Sequence, residues 1–113
     1  AKSANLYPSQ VLPGLLYLGD WSHAVAVERL QEIKVKSIVT IHNHPDNLKP
    51  QGMRWLKWEL PDVEVADIAA CFDKTYAFIE EARSRNEAVL VHCGAGVSRS
   101  ATLCMMYLMR RFT

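Results

Sequence analysis

The amino-acid sequence predicts a single α/β domain, a central and mostly parallel sheet flanked by helices. Three observations carry that expectation. Short apolar, β-branched runs alternate along the chain with segments of helical period, the pattern of strand–helix–strand units. One run, Ala88-Val89-Leu90-Val91, is apolar throughout, as a strand covered on both faces would be. The 113 residues are 50% hydrophobic and 22% charged, without repeats, low-complexity tracts or Gly/Ser-rich linkers, which is the composition of one globular domain. A domain of this length buries roughly two-thirds of its unfolded surface, enough for a core without covalent staples.

Each element follows from local chemistry. Pro13-Gly14 signals a turn, and Leu15-Leu16-Tyr17-Leu18-Gly19 reads as a short strand closed by glycine. Asp20 or Ser22 can cap a helix over Ser22–Ile33, with Val25, Leu30 and Ile33 near one face. Ser37-Ile38-Val39-Thr40-Ile41 predicts a buried strand. His44–Gly52, with Pro45 and Pro50, is a loop, and Arg54–Leu60 is a further strand ended by Pro61. Ile68, Phe72, Thr75, Ile79 and Ala82 recur at helical spacing, so a helix is expected from an Asp67 N-cap to Arg85. Beyond Ala88–Val91 and a glycine-containing turn, Arg99 to Arg111 reads as a last helix, apolar on nearly every side and therefore buried.

Thirteen basic against twelve acidic side chains give a net charge of +1, which removes the usual electrostatic argument for nucleic-acid or anionic-membrane binding. No stretch approaches the ~20 consecutive apolar residues of a membrane span, and no apolar signal core follows Ala1–Asn5, so a soluble chain is expected. Cys71, Cys93 and Cys104 cannot all pair within one molecule and show no metal-ligand spacing. They point to free thiols in a reducing compartment, cytoplasm or nucleus. Cys71 and Cys104 lie in apolar stretches and read as small core residues.

Cys93 sits in different company. His92-Cys93-Gly94-Ala95-Gly96-Val97-Ser98-Arg99-Ser100 lies where a strand ends and a helix begins. Successive backbone N–H groups in such a turn converge on one point, and the helix dipole adds partial positive charge there. Gly94, Ala95, Gly96, Val97, Ser98 and Arg99 thus make a cradle for a phosphate-sized anion. Arg99 offers two parallel N–H donors to phosphate oxygens. A thiol facing that field is expected to ionise below the usual ~8.5, and its thiolate attacks phosphorus without a metal or other cofactor. His92, adjacent on a strand, points away from Cys93 and is assigned to holding the loop backbone. Ser100 can donate a hydrogen bond to the sulfur as it leaves.

Displacing an alcohol or phenol from phosphorus also needs a proton donor, and Asp62 is the candidate. From Asp67 to Arg85 the helix runs ~27 Å one way, and the strand to Cys93 returns roughly 20 Å. The Asp62 loop therefore falls on the same sheet edge as the cradle, beyond the carboxyl ends of the strands, where open α/β sheets place their sites. Asp67 is a weaker competitor because capping occupies it.

At these residues the sequence resembles the cysteine-based protein phosphatases, specifically the dual-specificity branch. Leu12-Pro13-Gly14-Leu15-Leu16-Tyr17-Leu18-Gly19 looks like that branch's opening strand, Asp62 stands at its general acid, and Cys93–Arg99 with Ser100-Ala101-Thr102 looks like its phosphate loop and following helix. The resemblance covers almost the whole chain. It implies a protein-tyrosine-phosphatase-like fold and two steps: Cys93 attacks phosphorus while Asp62 protonates the leaving oxygen, and Asp62 then deprotonates the water that hydrolyses the cysteinyl-phosphate. Arg99 and the loop amides would stabilise the equatorial oxygens. Phosphorylated proteins bearing phosphotyrosine or phosphoserine/phosphothreonine are the implied partners. Relatives acting on inositol lipids carry lysines inside the loop, whereas Gly94–Ser98 is uncharged, which favours a protein monophosphate without excluding a carbohydrate phosphate. Family members continue past the loop helix with two more helices; this chain stops at Arg110-Arg111-Phe112-Thr113. Either the sequence is truncated, or a partner supplies the missing surface, or one side of the helix is left as an exposed apolar patch.

Rival readings are a phosphopeptide-binding or scaffold module, and a rhodanese-like fold, which lacks an acid on an upstream loop. His42-Asn43-His44 with His23 or Asp46 could bind zinc but shows no third ligand in sequence, and reads better as polar loop. Trp21, Trp55 and Trp58 read as packing residues, since no basic interleaving marks a base-stacking platform. An oxidised Cys93 could be resolved by Cys71 or Cys104 if the sulfurs lie close.

Overall fold

A computed structural model of the chain describes residues 6–60, 66–94 and 97–113. Five strands, β1 (Ser9–Leu12), β2 (Leu16–Gly19), β3 (Val35–His42), β4 (Arg54–Glu59) and β5 (Ala88–His92), form one sheet in the order β1-β2-β5-β3-β4. β2, β5, β3 and β4 are parallel, and β1 adds antiparallel to β2 through the Pro13-Gly14 turn. Gly14 occupies the left-handed region (φ +74°) that this turn needs. The sequence shows that turn clearly but not β1, whose four residues are half to fully exposed and carry no clean alternation.

Helices cover both faces. α1 (Trp21–Ala24) and α2 (Val27–Glu32) lie on one, with Ala24 and Leu30 packed on Tyr17, Ile38 and Leu90. α3 (Phe72–Ser84) and α4 (Ser98–Phe112) lie on the other, where Ile79, Ala82, Leu103 and Tyr107 close over Leu16, Val39, Ile41, Val89 and Val91. The odd and even residues of β5 therefore feed two different cores, and all five are buried, which is why the run is wholly apolar up to His92.

Three expectations are corrected. The helix over Ser22–Ile33 is two short ones, broken where Ala26 leaves helical geometry (φ −89°, ψ 70°) between the β-branched Val25 and Val27. Asp67 is not an N-cap: it stands in a 3-10 turn, Ala66–Cys71, and α3 begins only at Phe72, with Cys71 in the cap position and no side-chain cap. The apolar period of Ile68 and Phe72 runs on through that tighter turn, so periodicity alone places the helix start too early. Finally, α4 is not buried all round. Ser100, Leu103, Cys104, Met106 and Tyr107 face the sheet, while Met105, Met109 and Phe112 are about 60% exposed. With Phe72 and Arg110, the exposed methionines line an apolar groove of about 370 Å³ between α3 and α4.

Gly19, at the carboxyl end of β2, is needed for space. An added Cβ would sit 2.7 Å from Nδ1 of His23, and that nitrogen is fixed by the Asp20 backbone N–H at 3.0 Å. Gly19→Ala is expected to lower unfolding stability by about 1–3 kcal/mol in urea titration, the usual cost of overpacking a fixed neighbour; an unchanged midpoint would contradict this packing.

Candidate active site

The parallel order puts the carboxyl ends of β2, β5, β3 and β4 on one edge of the sheet, and Gly19, His92, His42 and Glu59 mark that edge. β5 is central, so the residue after it is delivered to the middle of the edge. That residue is Cys93, 2% exposed. Ser100, in the first turn of α4, brings its Oγ to 3.4 Å from the Cys93 Sγ. The same hydroxyl lies 3.0 Å from the Val97 carbonyl. It has one proton, so it donates to Val97 while the cysteine is a thiol and can turn that proton to the sulfur when the sulfur is an anion.

Val97 holds the cap position of α4 and no side chain caps the helix there, so neither Ser98 nor Ser100 consumes the first-turn donors as an N-cap would. Those N–H groups and the positive end of a 15-residue helix face the loop that starts at Cys93. Ala95 and Gly96, two of the expected cradle residues, lie outside the described residues, as does Asp62. Gly94 is described: its carbonyl accepts the Trp21 N–H at 3.1 Å, and an added Cβ would lie 3.1–3.2 Å from the His42 ring. A side chain here would press on the His42 ring, which would have to shift by a few tenths of an ångström.

The half-buried Arg99 sends Nη1 to the Leu60 carbonyl, 2.9 Å away. Leu60 in turn donates its N–H to the His42 carbonyl at 3.0 Å. Leu60, directly after β4, is thus in contact with the Arg99 guanidinium in the first turn of α4.

His92 is completely buried. Its Nδ1 lies 3.0 Å from the Cys93 carbonyl, and its Nε2 lies 2.8 Å from Thr40 Oγ1. Burial is the main influence on its titration and pushes its pKa down to about 4, so the ring is neutral at physiological pH. The Asp20 side chain accepts from Ser22 N and His23 N and so caps α1, with His23 answering from the third position. Burial works to raise the Asp20 pKa, but the hydrogen bonds and charge around it prevail and it stays below the usual carboxylate range.

Sequence reasoning missed four contributors. Thr40 and Trp55 hold His92 from behind; Trp21 packs on His42 and His92 with ring centroids 4.7 and 5.6 Å away; His42 closes on Gly94. Together Asp20, Trp21, Ser22, His42 and Gly94 line a cleft of about 400 Å³ beside the loop. Trp21 is thus a site-edge residue, while Trp55 and Trp58 are β4 residues whose indole N–H groups bond Thr40 and Thr75. In sequence His42 drew notice only beside Asn43-His44 as a zinc candidate, and Trp21 and Trp55 only as packing residues. Among the described residues no group of three or more His, Cys, Asp or Glu could hold a metal ion, and His42 Nδ1 accepts the His44 N–H instead. Cys71 and Cys104 are core residues, 1% and 3% exposed. Burial raises both thiols, Cys104 to about 12, which leaves them protonated and poor at resolving an oxidised Cys93.

The depressed His92 pKa has a stability consequence. Between about 6.5 and about 4 the unfolded chain binds a proton that the folded one refuses. Stability is therefore expected to fall as pH drops through that window, by up to about 3 kcal/mol from this one group. Urea denaturation at stepped pH checks this; a His92→Gln chain with the same slope would refute the assignment.

Residues 16–113 match the family described as Dual specificity phosphatase, catalytic domain. The chain is 39% identical over 107 residues to Dual specificity protein phosphatase Mpk3 of Drosophila melanogaster, covering 93% of this chain but 26% of the fly protein. It is 38% identical over 103 residues to human Dual specificity protein phosphatase 22, covering 89% of this chain and 54% of that protein. Among solved structures, DUSP15 superposes with a TM-score of 0.85 at 32% identity, over 95% of this chain and 67% of that one. The human tyrosine phosphatase-like serine/threonine/tyrosine-interacting protein gives 0.84 at 32%, over 95% and 75%. The chain thus spans between a quarter and about half of these two curated relatives. A sheet with Cys93 at its central carboxyl edge, a helix opening on Arg99-Ser100, and similarity along nearly its full length mark the chain as a member of the dual-specificity phosphatase catalytic-domain family.

Proposed function

We propose that this chain is a phosphoprotein phosphatase domain that hydrolyses phosphotyrosine and phosphoserine/phosphothreonine through a cysteinyl-phosphate. One observation carries the reading: Cys93 is placed between the end of β5 and the uncapped start of α4, with a hydroxyl 3.4 Å from its sulfur. The Cys93 sulfur attacks phosphorus, a P–S bond forms and the ester P–O bond breaks. Asp62 passes its proton to the leaving oxygen and in the second step takes one from water, whose oxygen attacks phosphorus as the P–S bond breaks. Ser100 gives its hydrogen bond to the departing sulfur. Arg99 exchanges the Leu60 carbonyl for phosphate oxygens, which it holds with the amides of Gly94, Ala95, Gly96, Val97, Ser98 and Arg99 itself. His92 keeps the loop in shape.

An uncharged loop interior supports a monophosphate on a protein over a polyanionic lipid. The substrate proteins are read as residing in the cytoplasm or nucleus, where three free cysteines persist.

Activity is tested with p-nitrophenyl phosphate and a panel of phosphotyrosine, phosphothreonine and doubly phosphorylated peptides. Cys93→Ser is expected to remove activity by on the order of 10³-fold or more, as loss of a nucleophile does. Asp62→Asn is expected to cost about 10²–10⁴-fold on phosphothreonine peptides, whose alkoxide leaves poorly, and far less on the activated aryl ester. Turnover by Cys93→Ser equal to the unmodified chain would end the proposal.

A further inference from the structure

The residues behind His92 form a chain of hydrogen bonds with a forced direction. Trp55 Nε1 lies 2.9 Å from Thr40 Oγ1, Thr40 Oγ1 lies 2.8 Å from His92 Nε2, and His92 Nδ1 lies 3.0 Å from the Cys93 carbonyl oxygen. An indole N–H only donates and a carbonyl oxygen only accepts, so for a neutral imidazole the two ends fix everything between them. His92 Nδ1 carries the proton. Nε2 of the neutral ring is then an acceptor, the Thr40 hydroxyl donates to it, and the free lone pair of that hydroxyl takes the Trp55 N–H. Sheet register makes this possible: Thr40 is the β3 partner of His92, and Trp55 in β4 pairs with Ile38, on the same face of β3 as Thr40. Thr40 and His92 are both completely buried, so water does not compete for these groups. Trp21 seals the other side of the His92 ring edge-on.

We propose that Thr40 and Trp55 are positioning residues of the reacting loop, acting through His92 by holding it as the Nδ1–H tautomer that grips the Cys93 carbonyl. The proposal rests on reading residues 93–99 as the phosphate-binding loop. A Cys93 carbonyl committed to the imidazole keeps the negative end of that peptide dipole away from a bound anion, and fixes the backbone from which Sγ projects. Thr40 and Trp55 touch neither the sulfur nor the space a phosphate would fill; their effect passes through one ring.

The experiment joins a spectroscopic readout with a mutant cycle. In ¹⁵N-labelled protein, long-range ¹H–¹⁵N correlation of the His92 ring is expected to show a protonated Nδ1 and an unprotonated Nε2, and a mixture or reversal in Thr40→Val. For the aryl phosphate, Thr40→Val is expected to lower kcat/KM about tenfold and Trp55→Phe about threefold, the scale of one lost buried hydrogen bond. Thr40→Ser, which keeps the hydroxyl, is expected to stay within about twofold of the unmodified chain. Because the groups act in series, the double variant is expected to lose no more than Thr40→Val alone, whereas independent packing losses would multiply. An Nε2–H tautomer in the unmodified protein, multiplicative losses, or a Thr40→Ser as impaired as Thr40→Val each overturn the proposal. Should Thr40→Val fail to fold, the tautomer of the unmodified protein and the Trp55→Phe and Thr40→Ser rates decide. Absence of all turnover with the expected tautomer intact would instead strike the phosphatase reading.

Discussion

The imidazole of His92 is the point on which the site depends. It is the last residue of the central strand and has no contact with solvent, so both of its nitrogens need partners inside the protein. One partner is the Cys93 carbonyl and the other is Thr40. A neutral ring in a buried position is also a rigid one, because each rotation would strand a polar atom without a hydrogen bond. The residue that follows, Cys93, therefore starts from a backbone fixed at its carbonyl.

The rest of the edge converges on that anchor from three other strands. β2 ends in Gly19, whose lack of a side chain admits His23, and His23 completes the cap that starts α1 and sets Trp21 against the Gly94 carbonyl. β3 ends in His42, which takes the space that a side chain at residue 94 would need. β4 ends beside Leu60, whose carbonyl meets Arg99. Each strand thus contributes through the residue just beyond or at its carboxyl end, and backbone hydrogen bonds from Trp21 to Gly94 and from Leu60 to His42 tie neighbouring ends together. Stability and chemistry are separated along the strand axis: Leu16, Val39, Ile41, Val89 and Val91 hold the sheet to α3 and α4, and the polar residues crowd one edge. Membership in the dual-specificity phosphatase family gives this arrangement its context, since one side of such a sheet is left to carry a site.

The same logic explains where reading the chain succeeded. The strand pattern of Ala88–Val91 and Ser37–Ile41, the turn at Pro13-Gly14 and the spacing of Cys93, Arg99 and Ser100 are local signals, and each appears in the fold where residue chemistry puts it. Helix starts were less legible. Asp67 has a cap residue's side chain but stands within a 3-10 turn, since backbone torsion there follows the packing of Ile68 and Cys71 in the core rather than the nearest acceptor. The outer face of α4 shows the opposite failure: Met105, Met109 and Phe112 are apolar in sequence, yet nothing in the described residues covers them.

The sequence alone determined the layered α/β architecture and the setting of Cys93 just after a buried strand with Arg99 in the first turn of the following helix, because strand period and helix-start chemistry act over a few residues. Tertiary structure decided what surrounds that cysteine. Thr40, Trp55, Trp21 and His42 are ordinary strand and loop residues until β3 and β4 are laid beside β5 and register brings Thr40 opposite His92. Hydrogen-bond partners separated by 52 positions leave no periodic trace in a sequence; they exist only once hydrophobic burial has closed the sheet.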